Sequence, residues 1–240
     1  MLKMKYSAIY GFLLMIFSFS LFASEDKIDA EEILRRADAI RCPEDDFVMR
    51  VVIQNSGSDQ LTELEVFTKG QSKTLIKTLQ PARDRGRNML MLDEAMWAYV
   101  PNLKRAVRIS LSQKLTGEAA NGDISRMRWA GDYEASITDE TDEHWVLDLK
   151  ARKKGLTYEK IKAYVAKKNF RPLKAEYLSL SGLPLKYASF QDYRELAGAV
   201  RPGEIVIEDA KRKDQKSVIK IQSIEKKPLS DAIFNQNNLR

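Results

Sequence analysis

From Phe47 to Ile224 apolar and polar side chains alternate with a period of two in about a dozen short runs, which constrains the fold more than any other feature. Phe47, Met49, Val51 and Ile53 alternate with Val48, Arg50, Val52 and Gln54, and Leu64, Val66 and Thr68 alternate with Glu63, Glu65 and Phe67 across a turn at 55–59. Further strands are predicted at 73–79, 88–92, 95–100 and 105–109. After a break come 133–138, 145–149, 158–165, 173–180, 185–190, 203–209 and 217–224. The break, Leu111–Tyr133, carries Gly117, Gly122 and Gly131 and little alternation, and reads as a long connection with a short helix or two. A meander is the simplest topology.

One segment has helical spacing instead. Ile28, Ala30, Ile33, Leu34, Ala37 and Ile40 share a stripe, with Asp29, Glu31 and Glu32 early, Arg35, Arg36 and Arg41 late, and Pro43 as the stop. A single helix beside so many antiparallel strands predicts a sandwich, a closed barrel or a strongly curved sheet wrapped round the helix. The concave face of a curved sheet would bury the apolar stripe, and partial filling would leave an apolar cavity.

Ahead of the helix, Lys3 and Lys5 precede an uncharged run from Ser7 to Ala23 that ends abruptly at Ser24-Glu25-Asp26-Lys27. This is the pattern of an export signal, although a run of that length also approaches the roughly 17–25 residues of an anchor. Residues 1–23 are expected to be a signal peptide and 24–240 a single domain, with no linker or repeat to divide it. Removal of Lys3 and Lys5 lowers the charge excess from +6 to +4. One cysteine, Cys42, excludes an intrachain disulfide framework, and an exported domain of this kind fits the bacterial periplasm.

Motifs for catalysis are missing: there is no nucleophile elbow, phosphate loop, zinc-protease helix or dinucleotide fingerprint. His144, the one histidine, reads as a half-exposed polar residue where a turn enters a strand. Seven acids in Asp132–Asp148 and ten Lys or Arg in Lys150–Lys174 predict a surface with two poles. Paired acids for hydrolysis are the weakest of the functional readings. Export argues against nucleic acid as the partner of the basic segment, which leaves anionic headgroups or an acidic protein. The chain reads as a binding protein without cofactor or metal, not an enzyme. Met89, Met91 and Met96, with Trp97 and Tyr99, would suit either a core or a lining that adapts to acyl chains.

The stretch Pro81-Ala82-Arg83-Asp84-Arg85-Gly86-Arg87, followed by Met91 to Arg105 with Trp97-Ala98-Tyr99-Val100-Pro101, resembles the Trp-x-Tyr-x-Pro core of the outer-membrane lipoprotein-sorting protein family, relatives of the periplasmic lipoprotein carrier LolA. Asn121-Gly122-Asp123-Ile124, Ala130-Gly131-Asp132-Tyr133, Arg171 to Tyr177, Phe190-Gln191-Asp192-Tyr193 and Leu229 to Phe234 extend the resemblance over nearly the whole chain. It implies a LolA-like α+β fold, an unclosed, mainly antiparallel β-barrel of about 11–12 strands, with an N-terminal helix and a helical or loop insertion over the concave apolar face.

Lipid or acylated lipoprotein is the implied cargo, carried between inner and outer membrane. The implied partners are an inner-membrane exporter of the resistance–nodulation–division type and an outer-membrane acceptor. The dedicated carrier's Phe-Arg-Trp motif is absent, so lipid handed over by such an exporter stands equal to lipoprotein. The alternative is an envelope sensor or adaptor, similar to the lipoprotein-binding domain of stress regulators with this fold. Expected lipid-binding residues are Met49, Val51, Leu64, Val66, Met96, Trp97 and Tyr99, with Arg105 and Arg108 for headgroup or partner contact.

Overall fold

The computed structural model describes residues 28–239, so the uncharged run at 7–23 lies outside the described residues. Helix α1 spans Ala30–Arg41. Its N-cap Asp29 accepts a hydrogen bond from the Glu32 N–H at 2.7 Å, and the Cys42 N–H closes the last turn on the Asp38 carbonyl at 3.0 Å. Ile33, Leu34 and Ala37 are buried, and each leucine-sized side chain taken from water stabilises the fold by about 1.5–3 kcal/mol.

The strands follow the alternating runs closely. β1 (Phe47–Asn55), β2 (Leu61–Lys69), β3 (Lys73–Gln80), β4 (Met89–Leu92), β5 (Ala95–Val100) and β6 (Arg105–Ile109) form one meander. β9 (Tyr133–Glu140), β10 (His144–Ala151), β11 (Lys160–Ala166), β12 (Pro172–Leu178), β13 (Pro184–Leu196), β14 (Ala199–Asp209) and β15 (Lys216–Lys226) form a second. The connection between them holds β7 (Lys114–Thr116), β8 (Ala119–Ala120) and α2 (Asn121–Ser125). The two small strands and the full length of β13 and β14 exceed the sequence expectation. Ala197 and Gly198, at φ 54° and 74°, make the tight turn that extends that hairpin.

Thirteen antiparallel strands make one sheet in the order β6-β5-β4-β3-β2-β1-β15-β14-β13-β12-β11-β10-β9. Every pairing joins sequence neighbours except β1 with β15, whose register runs from Phe47 opposite Lys226 to Asn55 opposite Ser217. The sheet curls without closing, as expected of an unclosed barrel.

Its concave face carries the main core, including Met49, Val51, Leu64, Val66, Ile76, Met96, Leu147, Ile161 and Ile219, and is covered by α1 on the β9–β14 side and by α2 on the β2–β3 side. A second core lies on the convex face, where Leu229, Phe234 and Leu239 of the C-terminal segment cover Val48, Leu75 and Leu90. The expected two poles are not what forms: β9, β10 and β11 are neighbours, so Asp148 stands opposite Lys162 and Glu140 pairs with Lys167 at 3.1 Å.

Candidate lipid-binding site

The connection over the concave face is held to α1 by a buried charge pair. Asp38 Oδ1 accepts from Arg41 Nη1 at 2.9 Å, while Oδ2 accepts from the backbone N–H groups of Trp129 at 2.7 Å and Ala130 at 2.6 Å. Burial pushes the Asp38 carboxyl above its ordinary range, opposed by the charge of Arg41 and by these hydrogen bonds. The Arg41 guanidinium lies 3.5 Å from the centre of the Trp129 ring, so one residue pair fixes both the charge and the aromatic lid. Nearby, the Asp123 carboxylate accepts from the Ala120 N–H at 2.8 Å and from the Tyr158 hydroxyl at 3.0 Å, and its carboxyl is likewise raised by burial. Gly122 sits against Thr157 so closely that a Cβ would clash. On this side of the concavity packing is nearly complete, with about 20 Å³ free among Arg41, Trp129, Tyr158 and Tyr177.

The other side is open. A cavity of about 380 Å³ lies between β2–β6 and the connection. Leu64, Met89, Ala98 and Ile109 form its apolar floor, with Thr62 and Thr78 beside them. These residues meet because of register: Leu64 stands opposite Thr78 and Met89 opposite Ala98, which puts them on one face of the sheet. Gln113, Lys114, Leu115, Thr116 and Asn121 form the opposite wall, and Asp84 and Arg87, 3.6 Å apart, stand at the edge. Small-molecule sites typically enclose about 300–1,000 Å³, and this one combines an apolar floor with a polar, charged rim, as an amphiphile requires.

A family model described only as an uncharacterized protein matches residues 70–240. LolA superfamily protein NE2245 from Nitrosomonas europaea is 35% identical, with a TM-score of 0.82 over 88% of this chain and 99% of its own. The chain belongs to the LolA superfamily. An outer membrane lipoprotein-sorting protein domain from Vibrio parahaemolyticus, 21% identical, shares the fold at a TM-score of 0.71 over 88% of this chain and 97% of its own. So does a DUF1329 family protein from Desulfovibrio piger, 20% identical, at 0.73 over 88% and 97%. A comparison with curated proteins gives no match.

Within this LolA-superfamily sheet the expected lining residues divide between two faces. Leu64 lines the cavity; Met49, Val51, Val66 and Met96 lie in the same concave core without reaching the open space. Trp97 and Tyr99 do not: they pack in the convex core beside the C-terminal segment, because alternate residues of β5 face opposite ways and Met96 and Ala98 take the concave side. Arg105 and Arg108 also separate. Arg105 stands opposite Val100 and Arg108 opposite Trp97, with the Arg108 guanidinium 5.9 Å from the Trp97 ring centre, so the two leave opposite faces of β6. Met89, which the sequence left open between core and lining, borders the cavity, whereas Thr62, Thr78, Ala98, Ile109 and the wall from Gln113 to Thr116 were not expected. For the strand residues the signal was present in the alternation with Leu64. For the wall there was none, since its approach is a tertiary contact. His144 is half-buried at the start of β10, its ring hydrogen-bonding the Thr141 hydroxyl at 3.1 Å, and Cys42 is a buried helix-end residue.

Proposed function

We propose that this protein is a periplasmic carrier that takes acyl chains of lipid or lipoprotein into the cavity between β2–β6 and the connection and moves them between the inner and outer membranes. The observation that carries this reading is a cavity of about 380 Å³ with an apolar floor and a polar rim on the concave face of a LolA-superfamily sheet. Each methylene exposed to water costs about 0.8 kcal/mol, so a chain of about 15 methylenes faces a barrier of order 12 kcal/mol that an apolar cavity lowers without a cofactor or a chemical step. An inner-membrane exporter of the resistance–nodulation–division type is the proposed donor, and an outer-membrane protein the acceptor. Residues 1–23 serve as the export signal and 24–240 as the mature carrier.

Native mass spectrometry of protein purified from the periplasm without detergent, followed by organic extraction, tests the reading. Adduct masses that disappear on extraction are expected. Ala98, on the cavity floor, gives the matching variant: Ala98→Phe fills the space without adding charge and should lower lipid occupancy at least about tenfold while the far-UV circular dichroism is unchanged. Undiminished loading of that folded variant excludes this cavity as the lipid site. Lipid adducts with no transfer between vesicles, together with a stable complex with an inner-membrane protein, would favour the sensor or adaptor reading.

A further inference from the structure

Among the described residues nine large apolar side chains are exposed, and four of them, Leu180, Leu183, Leu185 and Tyr187, fall in one stretch of eight residues. Leu180 and Leu183, at 69% and 66%, are the two most exposed of the nine. They sit at the tip of the β12–β13 hairpin, whose turn pairs three of its own backbone N–H groups. The Gly182 N–H donates to the Ser179 carbonyl and the Ser179 N–H to the Leu183 carbonyl, both at 2.9 Å, and the Leu183 N–H donates to Ser179 Oγ at 3.1 Å. Gly182, at φ 84°, permits the reversal. Each backbone N–H paired within the turn lowers the cost of leaving water, and leucines this exposed have no role in the core.

The tip is uncharged from Leu178 to Leu185, but its neighbours on both sides are basic. On one side, Lys160 stands opposite Leu178, and Lys154 projects from the β10–β11 turn. On the other, the β14–β15 turn carries Lys211, Arg212 and Lys213, and its Ala210 N–H donates to the Leu185 carbonyl at 3.0 Å. Among the described residues Lys154, Lys160, Lys211 and Lys213 form no ion pair, whereas Arg212 is held by Asp209 at 3.1 Å and Asp214 is the one acid in the turn itself. The foot of the hairpin reaches the cavity wall: Lys186 donates to the Glu118 carbonyl, and the Glu118 carboxylate lies 3.7 Å from Lys114, which lines the cavity.

We propose that the β12–β13 tip docks this protein on the surface of an anionic bilayer, with Leu180, Leu183 and Leu185 entering the headgroup level and the flanking lysines meeting lipid phosphates. A few leucines alone adsorb weakly, so stable docking needs the second, electrostatic signal that the two basic turns supply. The inference deepens the carrier reading, since it brings the cavity wall to the membrane that gives or receives the lipid.

The test is co-sedimentation of the mature protein with vesicles of phosphatidylethanolamine and phosphatidylglycerol, against vesicles of phosphatidylcholine. Binding to the anionic vesicles that weakens with added salt is expected, and the double variant Leu180→Asp, Leu183→Asp should lose it by at least about tenfold. Both positions are solvent-exposed, so the variant should melt with the wild type; Lys211→Glu with Lys213→Glu should weaken binding through charge alone. Equal binding of wild type and the leucine variant, or no binding to either vesicle, overturns the proposal, and the latter leaves a protein partner for the tip. Native mass spectrometry of the same samples separates the two readings. Lipid-loaded protein that ignores vesicles fails the docking proposal alone, and vesicle-bound protein that never carries lipid fails the carrier reading alone.

Discussion

Asp38 is 1% exposed and yet accepts three hydrogen bonds, one from Arg41 and two from the backbone of the connection at Trp129 and Ala130. Arg41 is itself buried, so removing its partner would strand a charge away from water. Asp38→Asn should therefore cost about 3–5 kcal/mol in urea unfolding, and Asp38→Asn with Arg41→Met should recover much of that loss because no unpaired charge remains. A double variant no better than the single one would contradict this account. Four residues after Leu34, Asp38 falls on the apolar stripe by position, while its acidic side chain argues for solvent; Arg41 and the backbone of the connection are what allow its burial. A second carboxylate behaves in the opposite way. Hydrogen bonds from Arg212 and from the backbone N–H groups of Arg212 and Lys211 hold Asp209 down to about 2. Its folded value is below the unfolded one of about 3.9, so the stability it contributes is present above that value and is lost as pH falls through about 2. Carboxyl carbon chemical shifts followed by pH should give Asp209 a midpoint near 2, and a midpoint near 4 would show that the Arg212 contact is not maintained.

Two elements cover this sheet from opposite sides, and they differ in how readily they could be foreseen. Helix α1 was plain from its stripe and charge order. The C-terminal segment was not: after β15 it crosses the convex face, with Lys69 Nζ donating to the Leu229 carbonyl at 2.7 Å and Lys73 pairing with Asp231 at 2.7 Å. Leu229, Phe234 and Leu239 are too widely spaced to form any periodic pattern, and they acquire meaning only beside the outward set of β1 to β5. Phe234 is buried in that contact, so Phe234→Ala should cost about 3 kcal/mol and shift the emission of Trp97, which packs in the same cluster, to longer wavelength. Unchanged Trp97 emission, read in a protein with Trp129 and Trp145 replaced by Phe, would indicate that the segment does not cover this face in solution.

At the scale of the whole molecule one ladder, β1 with β15, joins two meanders into a continuous sheet, and the concave core runs across the junction. Unfolding should accordingly be a single transition, coincident when followed by Trp97 in β5 alone and by Trp145 in β10 alone; two separated midpoints would mean that the meanders unfold independently. The proposed lipid site depends on the same continuity, because its floor belongs to the first meander and its wall to the connection leading to the second. By itself the sequence determined the helix, the strands, the turns between them and the resemblance to lipoprotein-sorting proteins, since caps, periodicity and turn residues act over a few positions. Alternation sorts each strand into two sets of side chains without saying which set faces inward. Met96 and Trp97 were therefore indistinguishable as lining residues until the direction of curl was known. Curl, the crossing of the C-terminal segment and the approach of Gln113–Thr116 to β2–β6 are set by contacts between residues far apart in the chain. Only the tertiary structure could decide which apolar residues form core and which border open space.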